Sequence, residues 1–72
     1  MKPLSSEEIN KLVTQATFKH IMNRTWRIGQ IFMIELFDNH KEHYRHITDS
    51  NLDCFYDDTL LESACVVLAE EA

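Results

Sequence analysis

The fold is decided by residues 26–37, which read Trp-Arg-Ile-Gly-Gln-Ile-Phe-Met-Ile-Glu-Leu-Phe. On a helical wheel, six apolar residues of this stretch share an arc of roughly 180°, which is wider than the roughly 100° stripe of an ordinary surface helix. We therefore predict that the stretch forms the central helix of the domain, capped by Thr25 and starting at Trp26. The residues on the arc are Trp26, Ile28, Phe32, Met33, Leu36 and Phe37.

A β-strand is the alternative for the same stretch, because residues 31–34 form a continuous apolar run and Phe32, Ile34 and Leu36 alternate. The polar residues favour the helix. On a helix they cluster on the arc that the apolar residues leave free, whereas on a strand they would fall on both faces. These polar residues are Arg27, Gln30, Glu35 and Asp38.

A first helix is predicted from about Ser6. Ser5 and Glu8 form a capping box, and Leu4 and Ile9 are placed as the two halves of a hydrophobic staple. Apolar residues then recur at helical spacing, but Phe18 projects from the opposite side, so the helix is either packed on two faces or ends near His20. We expect a break between residues 20 and 25. The stripe comprises Ile9, Leu12, Val13, Ala16 and His20.

The rest of the chain predicts a short helix, an ordered loop and a last helix. Asp38-Asn39 is typical of a helix end, and residues 40–47 are long enough for two helical turns. Residues 48–58 are rich in Asp, Asn and Ser, which favour a loop. Asp58 or Thr59 caps the last helix. We expect Leu52, Phe55 and Tyr56 to anchor the loop, and Leu60, Leu61, Ala64, Cys65 and Leu68 to form the last apolar stripe.

The composition supports an all-α fold. One Gly and one Pro among 72 residues provide few of the tight turns that β-rich domains require. We predict a single helical domain over residues 1–72, a small bundle of three main helices plus one short helix. The sequence has no secretory signal, no apolar run approaching about 18 residues and no CxxC pair. We therefore expect a soluble, cytoplasmic protein that does not enter membranes.

The charge is distributed unevenly along the chain. Residues 1–36 carry five basic and three acidic side chains, whereas residues 37–72 carry two and nine. A nucleic-acid surface is one interpretation of the basic segment. The other is that the acidic half folds against it, since four cations are few for a nucleic-acid-binding surface. The four basic residues, in an interval free of acids, are Lys11, Lys19, Arg24 and Arg27.

Histidines form the only candidate metal-binding group. His40, His43 and His46 are spaced three apart, and Cys54 could add a soft ligand. Because three residues per step drift by about 60° around a helix, the imidazoles do not converge easily on one ion. We predict no metal and no cofactor.

The residues do not predict an enzyme. Asp57 and Asp58 are adjacent in sequence and favour helix capping over acid–base chemistry. Cys65 lies on an apolar stripe and is expected in the core, where a thiol is a poor nucleophile. Gly29 alone does not make a phosphate-binding loop.

Two motifs have a recognisable order: Arg-Ile-Gly-Gln at residues 27–30, and Asp-Cys-Phe-Tyr-Asp-Asp at residues 53–58. This order resembles small uncharacterised proteins encoded by bacterial phages, prophages and mobile elements, which read R-x-G-Q and then D-P-F-Y-D-D, and it covers about residues 26–68. The resemblance implies a short accessory protein acting inside a bacterial cell, with no assigned reaction. The departures are His40 and Lys41, where the family has Asn-Pro, and Cys54, where it has Pro.

The two motifs also have a structural interpretation. Gly29 lacks a side chain, so another part of the backbone can approach the central helix closely at this position. We predict that Phe55 and Tyr56 plug the loop into a groove beside Trp26.

We predict a non-enzymatic protein that acts by protein–protein interaction, either as a homodimer or on a host protein. Two neighbouring helices cover only part of a 180° apolar arc, and Ile31 and Ile34 fall outside that arc. Arg27 and Gln30 lie on the polar side, where they can contact a partner. The candidate partner-binding residues are Arg27, Gln30, Ile31 and Ile34, and the alternative is a nucleic-acid-binding module that uses Lys11, Lys19, Arg24 and Arg27.

Overall fold

The computed structural model describes residues 2–70 and contains four α-helices, with no β-strand in that range. The predicted all-α bundle is confirmed, and α3 is the predicted short helix. Among the described residues, no helix is both long and apolar enough to cross a bilayer. The helices are α1 (Ser6–Met22), α2 (Ile28–Asn39), α3 (Lys41–Asp49) and α4 (Leu61–Ala69), the last preceded by a 3₁₀ helix at Asp58–Leu60.

The start of α1 follows the predicted capping box. The Glu8 amide donates to Ser5 Oγ at 3.1 Å, and the Ser5 amide donates to Glu8 Oε1 at 3.0 Å. Because the ionised carboxylate accepts the Ser5 amide hydrogen bond, the pKa of Glu8 is held below its usual range. Ile9 and Ala16 of the predicted stripe are buried, and the helix ends at Met22, inside the predicted interval.

The second helix begins two residues later than predicted, at Ile28, with Arg27 as its N-cap. Thr25 does not cap it, because its hydroxyl and its amide both donate to Asn23 Oδ1 in the preceding turn. Trp26 therefore lies outside the helix. Since Arg27 has no side-chain acceptor, α2 also has no capping hydrogen bond from its own N-cap residue.

Gly29 is where the loop after α3 meets α2. The Gly29 amide donates to Asp58 Oδ1 at 2.9 Å, so a distant carboxylate supplies the missing cap. A Cβ on Gly29 would collide with the Cys54 carbonyl oxygen and lie 2.7 Å from Asp58 Oδ1. The Cys54 thiol donates to the Gly29 carbonyl at 3.6 Å. The predicted close approach of another backbone segment at Gly29 is confirmed.

The hydrophobic core is a single cluster around α2. Phe32, Met33 and Leu36 are almost completely inaccessible to solvent, and each other helix and the loop contribute buried residues around them. α1 makes the most extensive contact with α2. The surrounding buried residues include Leu12, Ala16, Ile47, Cys54, Ala64 and Leu68.

The buried side of α2 differs from the predicted arc. Trp26 and Phe37 are 42% and 45% exposed, whereas Ile31 is 6% exposed. The cause is the position of α1, which packs on the side of α2 that carries Ile31 and Glu35, together with the late start of the helix. The prediction that Ile31 lies outside the buried arc is therefore wrong, and Trp26 and Phe37 belong to the part of the predicted apolar arc that the neighbouring helices leave exposed.

The loop is anchored by different residues than expected. Cys54 is fully buried, and Leu52 and Phe55 are partly buried against the core. Tyr56 is 81% exposed, so its predicted anchoring role is wrong. Its ring packs edge-on against Phe55 and lies 5.9 Å from the Arg27 guanidinium carbon, which keeps it on the surface.

Candidate functional site

The outer face of α2 is the side that the other helices leave uncovered, and we define it as Arg27, Gln30, Ile34, Phe37 and Asp38. Their spacing of three or four residues places them along one side of the helix. Arg27, Phe37 and Asp38 are exposed, and Gln30 and Ile34 are half-buried. Two hollows, one on each side of Ile34, open on this face.

The first, which we name the Phe55 hollow, has a volume of about 210 Å³. The Phe37 and Tyr44 rings meet edge to face in its wall, with centroids 5.1 Å apart. Phe55 therefore reaches α2 and α3 instead of the predicted groove beside Trp26. An apolar hollow of this size accommodates a side chain from another molecule. Its lining is Met33, Ile34, Phe37, Tyr44 and Phe55.

The second, the Trp26 hollow, has a volume of about 260 Å³ and lies between α1 and α2. The turn at its edge is fixed because His20 Nδ1 donates to the Trp26 carbonyl at 2.7 Å. Trp26 is exposed at this hollow, whereas Ile31 is buried, with 6% of its surface exposed. Its lining is Lys19, Asn23, Trp26, Ile31, Ile34 and Glu35.

A buried carboxylate forms part of the Trp26 hollow. Glu35 is 9% exposed, and its Oε2 accepts from Lys19 Nζ at 2.9 Å. Asn39 Nδ2 donates to the Glu35 carbonyl at 2.8 Å. The Lys19 ammonium compensates the cost of burying the Glu35 charge, so the polar side of the hollow is neutral overall.

Arg27 joins the start of α2 to the loop. Its Nη2 donates to the Phe55 carbonyl at 2.8 Å, while the guanidinium lies near the Tyr56 ring. An arginine has five N–H donors, so this contact leaves donors for a partner. Arg27 therefore presents a positioned positive charge at the N-terminal end of the outer face of α2.

The four basic residues of the predicted nucleic-acid surface occupy different settings. Lys11 lines a polar groove of about 440 Å³ between α1 and α2, together with Glu8. Lys19 pairs with Glu35, Arg24 lies in the turn after α1, and Arg27 contacts the loop. Two of the four cations thus have partners within the chain.

The histidine group makes structural contacts. His43 Nε2 donates to the Lys2 carbonyl at 2.6 Å, and this fastens the N-terminal segment to α3. The His40 and His43 rings meet edge-on with centroids 5.7 Å apart. Within residues 2–70, no group of three or more His, Cys, Asp or Glu side chains could hold a metal ion.

The two cysteines stay protonated near neutral pH. Burial raises the pKa of the Cys54 thiol to about 12, and burial also raises the pKa of the Cys65 thiol. Because the thiolate is the reactive form, neither side chain is activated as a nucleophile.

The structure alters the predicted partner-binding set. Arg27, Gln30 and Ile34 lie on the outer face of α2, but Ile31 does not, since packing of α1 leaves it only in the lining of the Trp26 hollow. The Phe55 hollow was not predicted from the sequence. Its signal was present in Phe37 and Tyr44, seven residues apart, but their contact requires the break between α2 and α3 at His40.

A second group of exposed apolar side chains lies at the end of α1. Phe18, Ile21 and Met22 are all exposed, which agrees with the predicted departure of Phe18 from the buried stripe. These residues line neither of the two hollows. Unlike the outer face of α2, these three residues therefore do not border either hollow that could receive a side chain of another molecule.

Comparisons with known proteins found no match, whether among protein-family models, curated proteins or solved structures. The geometry of the outer face of α2 is therefore the main support for a functional proposal. Its decisive feature is the pair of hollows that meet at Ile34.

Proposed function

We propose that the protein is a non-enzymatic accessory protein that acts by binding another protein through the outer face of α2. The observation that carries this proposal is the position of Ile34, which is half-buried and lines both hollows on one side of the helix. An apolar centre with pockets for side chains and charged residues at its edge is typical of protein interfaces.

The residues around the hollows belong to the types that dominate binding energy. Tryptophan, tyrosine and arginine are enriched among the residues that contribute most to protein interfaces. Trp26 lines one hollow and Tyr44 lines the other. Arg27 lies at the start of α2 and donates to the Phe55 carbonyl in the loop. The side chains of Arg27 and Tyr44 are held by contacts within the chain, so little order of these two side chains has to be gained on binding.

The resemblance of residues 27–30 and 53–58 to phage and prophage proteins supports a partner inside a bacterial cell. That partner is either a second copy of the chain or a host protein whose activity the binding modulates. A cytoplasmic setting agrees with Cys54 and Cys65 being free thiols.

A protein partner is favoured over nucleic acid by the contacts of the basic residues. Lys19 neutralises Glu35, so its charge is not free to bind a phosphate, whereas the hydrogen bond of Arg27 to the Phe55 carbonyl orients its guanidinium toward the loop. The outer face of α2 carries one cation and one anion, Arg27 and Asp38, around an apolar centre.

Site-specific photocrosslinking tests the proposal. A photoreactive amino acid replaces Gln30, at the edge of the outer face, in the full chain expressed in bacteria. We expect a covalent adduct of one discrete mass, because a specific interface brings the same partner surface to this position each time. The matched control carries the same amino acid at Ser63, an exposed position on α4.

The adduct should be absent from the Ser63 control and should disappear when Ile34→Asp is added to the Gln30 probe. Equal adducts at both positions, or none at Gln30, would contradict the proposal. Retention of DNA by the purified chain at about 0.15 M salt, with affinity falling steeply as salt rises, would favour the nucleic-acid alternative instead.

A further inference from the structure

The partner that the outer face of α2 fits best is its own copy, and this inference rests on the proposed function. We propose that two chains pair through their α2 helices, antiparallel about a two-fold axis, so that Ile34 of each copy enters the Trp26 hollow of the other. Three observations support this pairing: the charges at the two ends of α2, the register of its isoleucines and the shape of the hollow.

The charges on the outer face of α2 are opposite at its two ends. Arg27 lies at the N-terminal end, in the N-cap position, and Asp38 is exposed one residue before the C-terminal end. When two such helices run antiparallel, Arg27 lies opposite the partner's Asp38, and the two-fold axis repeats the pair. A parallel arrangement would instead bring like charges together.

The register that aligns these charges also aligns the isoleucines. In an antiparallel pair, moving forward along one helix means moving backward along the other. The register that places Arg27 opposite the partner's Asp38 therefore places Ile31, four residues on, opposite the partner's Ile34. One arrangement thus satisfies the charged ends and the apolar centre together.

The shape of the surface agrees with this register. Ile31 is buried and lines the Trp26 hollow, whose volume is about 260 Å³. Ile34 is half-buried and lines the same hollow. An Ile34 side chain placed over the partner's Ile31 therefore enters a hollow that already exists. In this arrangement each copy supplies one inserted residue and one hollow, as a two-fold interface requires.

Sedimentation equilibrium of the purified chain over a concentration series tests the pairing. We expect the mass to rise from 8.5 kDa toward twice that value. Asp38→Arg and Arg27→Asp should each weaken association by about tenfold or more, since each substitution acts twice in a symmetric dimer. The double variant Arg27→Asp/Asp38→Arg should restore association.

This rescue separates pairing from folding. Arg27 also bonds the Phe55 carbonyl, so its replacement affects the monomer, but a second charge at position 38 lies too far along α2 to repair that contact. Restoration in the double variant therefore reports contact between copies. Failure of the double variant to associate, with its helical circular dichroism intact, would overturn the proposed register.

Apolar controls locate the interface. Ile34→Asp should abolish association, whereas Val66→Asp, at an exposed apolar position on α4, should not. If Phe18→Asp abolishes association and Ile34→Asp does not, the copies associate through the end of α1 and the proposal is wrong.

The two experiments distinguish failure of the self-pairing from failure of the proposed function. A chain that stays at 8.5 kDa at every concentration, but still gives the Gln30 adduct with another protein, removes the second copy as partner and leaves the binding surface. A chain that neither associates nor gives an adduct removes both.

Discussion

The inner and outer faces of α2 differ in how completely the rest of the chain covers them. On the inner face, Phe32 and Leu36 are fully buried, and the loop backbone reaches the helix at Gly29. On the outer face, Ile34 is partly exposed and Phe37 is exposed. Both faces carry large apolar residues, so the neighbours of a face, and not its hydrophobicity alone, determine whether it stabilises the fold or remains available to a partner.

Truncation of one residue on each face should give the largest difference. Leu36→Ala should lower the free energy of unfolding by about 3 kcal/mol, because it leaves a cavity in a closely packed core. Ile34→Ala removes a side chain of similar size from a half-exposed position and should cost below about 1 kcal/mol in the monomer. Urea denaturation of both variants measures the two values.

These measurements need two protein concentrations, since dimerisation through Ile34 would make its apparent effect grow with concentration. The loss of stability in Leu36→Ala should exceed that in Ile34→Ala at both protein concentrations. Equal losses in the dilute samples would mean that the outer face is as well packed as the inner one, and the distinction between the faces would fail.

Substitution of Gly29, where the loop backbone contacts α2, should have the next largest effect. Gly29→Ala places a Cβ against the Cys54 carbonyl and close to Asp58 Oδ1, so the loop must move and the cap of α2 weakens. We expect a loss of about 2 kcal/mol, although alanine in an exposed helix position is normally better than glycine by about 1 kcal/mol. Thermal denaturation followed by circular dichroism measures the change.

Gln30→Ala is the matched control, since it alters the adjacent residue on the other face and should change stability by less than about 0.5 kcal/mol. An unchanged melting temperature for Gly29→Ala would show that the loop backbone does not approach α2 as closely as the structure has it.

The sequence predicted those parts of the fold that depend on local signals. The Ser5–Glu8 capping box, the stripe of α1 and the break before α2 all follow from residues near one another in the chain. Close approach at Gly29 was also predictable, because glycine weakens a helix and is typical of positions where another backbone segment comes near. Arg27, Gln30 and Ile34 were correctly placed outside the core on the basis of helical spacing.

The errors have non-local causes. Thr25 was expected to cap α2, but Asn23 engages it, and the cap comes from Asp58, 29 residues beyond Gly29. The burial of Ile31 depends on where α1 crosses α2, which helical periodicity does not determine. The Phe55 hollow forms only when the loop, α2 and α3 are assembled, so no stretch of sequence contains it.

The smallest expected effect concerns Cys54, which lies against the inner face of α2 beside Gly29. Burial raises the pKa of its thiol from 9.0 to about 12. Above pH 9 the unfolded chain therefore loses this proton while the folded chain keeps it. The folded state has its full advantage from the neutral thiol below pH 9.0, and that advantage is lost as the pH rises toward about 12.

We expect the wild-type chain to lose about 1 kcal/mol more stability than Cys54→Ala between about pH 8 and about pH 10, measured by urea denaturation under reducing conditions. Because each protein is compared with itself at two pH values, the pH-independent loss of stability caused by the alanine substitution cancels. Cys65→Ala, at a half-buried position, should retain most of the wild-type loss. If Cys54→Ala and the wild type lose the same amount, the thiol is accessible to water when folded, and the inner face of α2 is less tightly closed at the loop than at Phe32 and Leu36.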